Sequence, residues 1–140
     1  MSQSLISKLA HRKPFLFVDS IISISENEVQ ASWAINHGDA ILEGHFPGDP
    51  IVPGVLLIES LAQTSGLVLL ARDPVHIHKG MLVHSDIRFR HPINPPAVVL
   101  LTAKDDGSLG SINRFLVTAH VGNVLVADGT IALSIKKLAV

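Results

Sequence analysis

The stretch Pro53–Ala71, P-G-V-L-L-I-E-S-L-A-Q-T-S-G-L-V-L-L-A, limits what this chain can fold into more than any other feature. Pro53 suits the first turn of a helix, where its missing N–H costs nothing. Arg72-Asp73-Pro74 then stops the helix. Valine, leucine and isoleucine occupy most of its faces, so it has no polar side to turn towards water. Either lipid or protein must surround it. The slightly longer run Ile51–Ala71 approaches membrane-spanning length, but Pro53, Gly54 and Gly66 interrupt it. Glu59 and Gln63 near its middle would be costly in a bilayer. The expectation is a core helix of a soluble protein with no membrane association.

The rest of the chain supplies what could wrap that helix. Ser4–Ala10 suits a short amphipathic turn, and Phe15–Ser25 and Glu28–Asn36 are β-rich runs separated by Glu26-Asn27. His37–Pro53 is rich in glycine and proline and reads as an ordered loop. Beyond the helix lie four more β-rich runs, Met81–Arg90, Val98–Lys104, Ile112–His120 and Val124–Ile135. Asp105–Gly110 and Gly122-Asn123 are expected to turn the later ones. This is an α+β pattern in which a single curved antiparallel sheet wraps around one long buried helix. A parallel sheet lacks its crossover helices. At 140 residues without a linker or repeat, the chain reads as one domain, 1–140.

Composition removes several function classes. There is no cysteine, which excludes a disulfide framework, a thiol nucleophile and a cysteine-ligated metal. A net charge of −1 does not suit a nucleic-acid binder relying on bulk positive charge. The charge is uneven: residues 1–78 carry four basic and eight acidic side chains, residues 79–140 seven and four. A basic half can serve an acidic partner or simply solvate a surface. No signal-peptide core is found in Met1–Pro14, so the chain is expected in the cytoplasm. No P-loop, Gly-x-Gly-x-x-Gly or Gly-x-Ser-x-Gly motif occurs. His76-Ile77-His78 has no third ligand nearby and reads as a surface loop rather than a metal site.

Three features of Leu42–Gly66 carry chemistry. Glu59 lies in the most apolar helix, where loss of solvation favours its neutral, proton-donating form. Gln63, one turn later, shares its face and can orient it. His45 is a candidate base in a loop where Pro47 restricts Phe46, and where Gly44 and Gly48 permit backbone angles other residues avoid. Pro53-Gly54 opens the helix, leaving the N–H groups of Gly54 and Val55 free for a carbonyl oxygen. A base, an acid and an enolate-stabilising donor are what elimination of water next to a thioester requires. Each feature also has a plainer use, as a crevice carboxylate, one histidine among eight, or an ordinary helix start.

Together, Gly44–Gly48, Asp49-Pro50…Pro53-Gly54 and Glu59…Ala62-Gln63 resemble the FabZ-type 3-hydroxyacyl-[acyl-carrier-protein] dehydratases of the hotdog fold. His11-Arg12-Lys13-Pro14-Phe15-Leu16-Phe17-Val18-Asp19 is similar to that family's N-terminal signature, and Arg88-Phe89-Arg90-His91-Pro92 more loosely to a strand segment. The resemblance implies reversible dehydration of a (3R)-hydroxyacyl group on acyl carrier protein to the trans-2-enoyl form, in fatty acid or related polyketide or polyene biosynthesis. It implies catalytic His45 and Glu59, a substrate site including Gly54, Val55, Gln63 and Phe46, and no cofactor or metal beyond the carrier's phosphopantetheine. It also implies a homodimer with shared active sites, assembling as a trimer of dimers, or a heterodimer with a related subunit. Arg88, Arg90, Lys136 and Lys137 are the expected docking residues for the acidic carrier protein. The chain departs from the family at Pro95-Pro96-Ala97 and Ser20, and has no tyrosine to gate an acyl tunnel. A mainly structural subunit of a heteromeric dehydratase and a hotdog thioesterase are the alternatives.

Overall fold

A computed structural model of the chain describes residues 5–43, 48–75 and 77–137. The elements whose full ranges lie among the described residues follow one another as β1 (Ser20–Ile24), β2 (Glu28–Ile35), α1 (Ala40–Glu43), α2 (Gly54–Arg72), β3 (Ile77–Phe89), β4 (Ala97–Leu109), β5 (Ile112–Val121) and β6 (Val124–Lys137). The strands form one sheet in the order β1-β2-β4-β5-β6-β3, and each pairing is antiparallel. Helix α2 packs against β2, β3, β4, β5 and β6. Five strands at about 4.8 Å spacing span far more than one helix diameter, so the sheet must curve to reach α2 with all of them. This is the hotdog arrangement that the sequence led us to expect.

Alternation along the strands supplies the inner face. Val29, Ala31, Trp33 and Ile35 of β2 point inward, as do Val99, Leu101 and Ala103 of β4 and Phe115, Val117 and Ala119 of β5. Leu57, Leu61, Leu67 and Val68 of α2 meet them. Ser60, Thr64 and Ser65 are equally buried because each hydroxyl donates to a carbonyl of the preceding turn: Leu57, Ser60 and Leu61 respectively. Helix α2 has the length and hydropathy of a membrane span, yet 67% of that window is buried within the fold, which accounts for its composition. Where β6 passes β3, Gly129 has φ +155, and a Cβ there would lie 1.9 Å from the Asp86 carbonyl oxygen. Only glycine fits at that crossing.

Four expectations need correction. The expected loop His37–Pro53 holds helix α1, and β3 already begins at Ile77, within the expected loop His76–His78. Phe15–Asp19 is not part of a strand; β1 begins only at Ser20. The backbone of Phe15 and Phe17 is bonded to Gln63 in α2, so this segment runs across the helix instead of pairing with β2. Asp105–Gly110 is not a turn either, since β4 continues to Leu109 with an irregularity between Asp105 and Ser108. Its outer end extends into solvent, where no core face imposes alternation and polar residues look like a loop. Arg72 ties that end down by donating to the Glu26 carbonyl, Asn27 and Asp105.

Candidate active site

Glu59 projects from the middle of α2 onto an apolar cavity of about 260 Å³. Leu9, His11, Ala62, Gln63, Leu69 and Met81 are among the side chains lining it. The burial anticipated for Glu59 is partial, with its side chain 17% exposed. Its orientation is fixed by Gln63, which is buried and fully bonded. The Phe17 N–H donates to Gln63 Oε1 at 2.8 Å, while Gln63 Nε2 donates to the Phe15 carbonyl at 3.0 Å and to Glu59 Oε2 at 3.0 Å. A backbone N–H can only donate and a carbonyl can only accept, so the amide cannot be flipped. Gln63 is therefore an obligatory donor to Glu59.

The helix start forms a second cavity, of about 350 Å³, lined by Gly54, Leu57, Phe89, Arg90, His91 and Ile93 among others. Leu56 and Leu57 both donate back to the Pro53 carbonyl. The N–H groups of Gly54 and Val55 have no acceptor among the described residues, as expected of a first turn. Val55 itself is 72% exposed, so only its backbone can serve the site. Gly54 lies under the Phe89 ring, whose Cζ would stand 2.9 Å from a Cβ at that position. The Val52 N–H donates to the Ile93 carbonyl and Asn94 to that of Pro50, pinning the loop before the helix.

Within the chain these two cavities are separate. Five helical residues turn the helix by about 140°, so Gly54 and Glu59 face different cavities. That angle was available from the spacing alone. His45 and Phe46 lie outside the described residues, as do Gly44, Pro47 and His76. Gly48 has φ +86, the left-handed conformation for which glycine is suited. The expected carrier-docking residues are not brought into one patch. Arg88 pairs in register with Asp128 but Lys136 with Lys79, nine residues along β3, about 30 Å away; Lys137 follows Lys136 on β6. Arg90 bonds Asp128 through both Nε and Nη2, at 2.9 and 3.2 Å. That bond to Arg90, with the charges of Arg90 and Arg88, holds the Asp128 carboxyl below its usual range.

One neighbour of Glu59 was not singled out from the sequence. His11 Nε2 lies 3.4 Å from Glu59 Oε2. The signal was present in the His11–Asp19 signature, but nothing in the sequence places position 11 beside position 59.

The FabA-like domain model matches residues 9–136. A 3-hydroxyacyl-[acyl-carrier-protein] dehydratase FabZ from Thermotoga neapolitana is 38% identical over 133 residues, 94% of each chain. One from Streptococcus sanguinis is 34% identical over 136 residues, covering 94% of this chain and 95% of the relative. The chain belongs to the FabZ-type dehydratase family.

Two solved structures agree on the hotdog fold alone. The dehydratase heterocomplex ApeI:P from Xenorhabdus doucetiae has a TM-score of 0.79 at 17% identity, over 94% of this chain and 90% of the other. A mutant thioesterase from Pseudomonas aeruginosa has 0.76 at 8%, over 99% and 95%. In this FabZ-type chain, the signature segment His11–Asp19 and the helix residues Glu59 and Gln63 meet around the first cavity and its supporting loop. Asp19 plays a structural part, its carboxylate accepting the Ala34 N–H at the start of the sheet.

Gln63→Ala leaves the buried Phe17 N–H unpaired and Glu59 untethered. It should lower the unfolding free energy by about 1–3 kcal/mol in urea titrations and lower turnover as well. Unchanged stability would show that the segment carrying Phe15 and Phe17 is held by other contacts.

Proposed function

We propose that this chain is a hydro-lyase that reversibly dehydrates a (3R)-hydroxyacyl thioester on acyl carrier protein to the trans-2-enoyl thioester. The observation that carries the reading is the Glu59 carboxylate, fixed by Gln63 at the rim of an apolar cavity, in a chain similar to FabZ dehydratases along nearly its whole length. Glu59 gives its proton to the departing hydroxyl as the C3–O bond breaks, and water leaves. His45 takes the C2 proton, whose bonding electrons form the new double bond. The Gly54 N–H, with that of Val55, receives the charge developing on the thioester oxygen, and Phe46 borders the substrate. The apolar cavity takes the acyl chain. No metal or organic cofactor takes part, and the enzyme works in the cytoplasm in fatty acid or related polyketide or polyene biosynthesis.

The active site belongs to two copies of the chain. Strand β3 is a free sheet edge thirteen residues long, with Met81, Leu82, Val83 and Phe89 exposed. A long apolar edge of this kind calls for a partner strand. Pairing two β3 strands antiparallel about a two-fold near Ser85 sets Gly80 and Met81 of one copy opposite Arg90 and Phe89 of the other. Those residues border the Glu59 and Gly54 cavities respectively. The pairing thus joins the half-sites that one protomer holds apart.

Incubation with a 3-hydroxyacyl carrier protein should yield a product lighter by one water. His45→Ala and Glu59→Gln should each reduce turnover by at least about 10²-fold in a folded protein. Release of free acid would identify a thioesterase, and activity only after a related subunit is added would identify a heteromeric dehydratase.

Carrier docking falls to the Arg88–Arg90 flank of the Gly54 cavity, where Arg90 pairs with Asp128 and Arg88 stands in register with the same residue. Arg88→Glu should raise KM for carrier-bound substrate at low salt and leave turnover of a small pantetheine thioester unchanged. Equal losses on both substrates would assign Arg88 to the fold instead.

A further inference from the structure

His11 stands against the acid of the proposed reaction without a part in it. Its ring is held from several sides. Ile6 and Leu9 anchor the preceding turn in the core, and Arg12 folds back to donate to the Ser7, Leu9 and His11 carbonyls. The ring meets Phe15 at a centroid distance of 5.7 Å, and Phe15 supplies a carbonyl to Gln63. Nε2 lies 3.4 Å from Glu59 Oε2, while Nδ1 is buried without a hydrogen-bond partner.

These constraints decide where the ring proton sits. A proton on Nδ1 would be a buried donor with no acceptor. A proton on Nε2 instead has a carboxylate oxygen, Glu59 Oε2, 3.4 Å away as its nearest acceptor and leaves only a bare lone pair on Nδ1. We infer that His11 is a positioning residue: its Nε2–H, together with Gln63 Nε2–H, converges on Glu59 Oε2 and leaves Oε1 as the oxygen that carries and delivers the catalytic proton.

Among the described residues Oε1 has no hydrogen-bond partner. The carbonyl oxygen of an acid and either oxygen of a carboxylate can accept both N–H groups. The clamp on Oε2 therefore persists before and after proton transfer, and no donor need reorganise during the step. A distance of 3.4 Å is slightly long for such a bond, as is common in a site without substrate. The carboxylate left after donation is the species that gains most from the second donor. Losing His11 should consequently act on turnover and not on substrate affinity.

The catalytic part of this assignment rests on the dehydratase reading, whereas the tautomer does not. His11→Phe keeps a ring against Phe15 and removes the donor, and His11→Gln returns an N–H near the position of Nε2. With a 3-hydroxyacyl carrier protein, His11→Phe should lose about 10-fold or more in kcat with KM within about twofold, and His11→Gln should recover most of it. Long-range proton–nitrogen NMR of histidine-labelled wild type, with His11 assigned from its loss in His11→Gln, should show Nε2–H and a bare Nδ1. Wild-type kcat in His11→Phe, an equal loss in His11→Gln, a loss confined to KM, or a proton on Nδ1 would each overturn the assignment. If the wild type itself removes no water, the dehydratase reading fails, and the NMR spectrum still decides the clamp.

Discussion

Everything in this molecule answers to one constraint: α2 is apolar on nearly every face and must be covered all round. The sheet covers most of it by curving until five strands reach the helix. The N-terminal segment covers more, with Ile6, Leu9, Phe17 and Val18 buried. It is fastened to α2 by the one amide that the helix turns towards it. Gln63 thus does two things at once, tying a backbone segment to the core helix and holding a carboxylate at a cavity's rim.

That economy explains why the site is well defined on such a small protein. A carboxylate in an apolar helix needs a donor, and Gln63 is compelled to be one because its other polar atoms are committed to the backbone. The same segment that receives Gln63 brings His11 to the carboxylate and packs Phe15 edge-to-face against Phe17, and Phe17 edge-to-face against Trp33. Substrate binding then inherits a carboxylate already oriented, instead of paying to order one. The edge strand β3 completes the logic, since the surface left uncovered by one protomer borders both cavities.

The helix, most strand positions and the Glu59–Gln63 pair were legible because each rests on local periodicity, 2 for strands and 3.6 for the helix. What was not legible is long-range or polar. Nothing local tells that Phe15–Asp19 bonds a helix instead of a strand, because the pattern of apolar residues is the same. The polar residues Asp105–Ser108 imitate a turn although the strand runs on. His11 meets Glu59 only because the N-terminal segment folds back across the helix, and Lys136 parts from Arg88 only because β3 and β6 are antiparallel. The opposed faces of Gly54 and Glu59 were readable from five residues of helix, and they are what favours the proposal of a site shared by two chains.

The central claim is that each site takes His45 and Gly54 from one copy and Glu59 from the other. It is tested most directly by mixing two inactive proteins, His45→Ala and Glu59→Gln, under conditions where subunit exchange is verified by native mass spectrometry. Random pairing of two such copies gives mixed dimers with one intact site, so activity should return to about a quarter of the wild-type value. Proven exchange with no recovery would contradict the account, because it would mean that each chain builds its whole site alone.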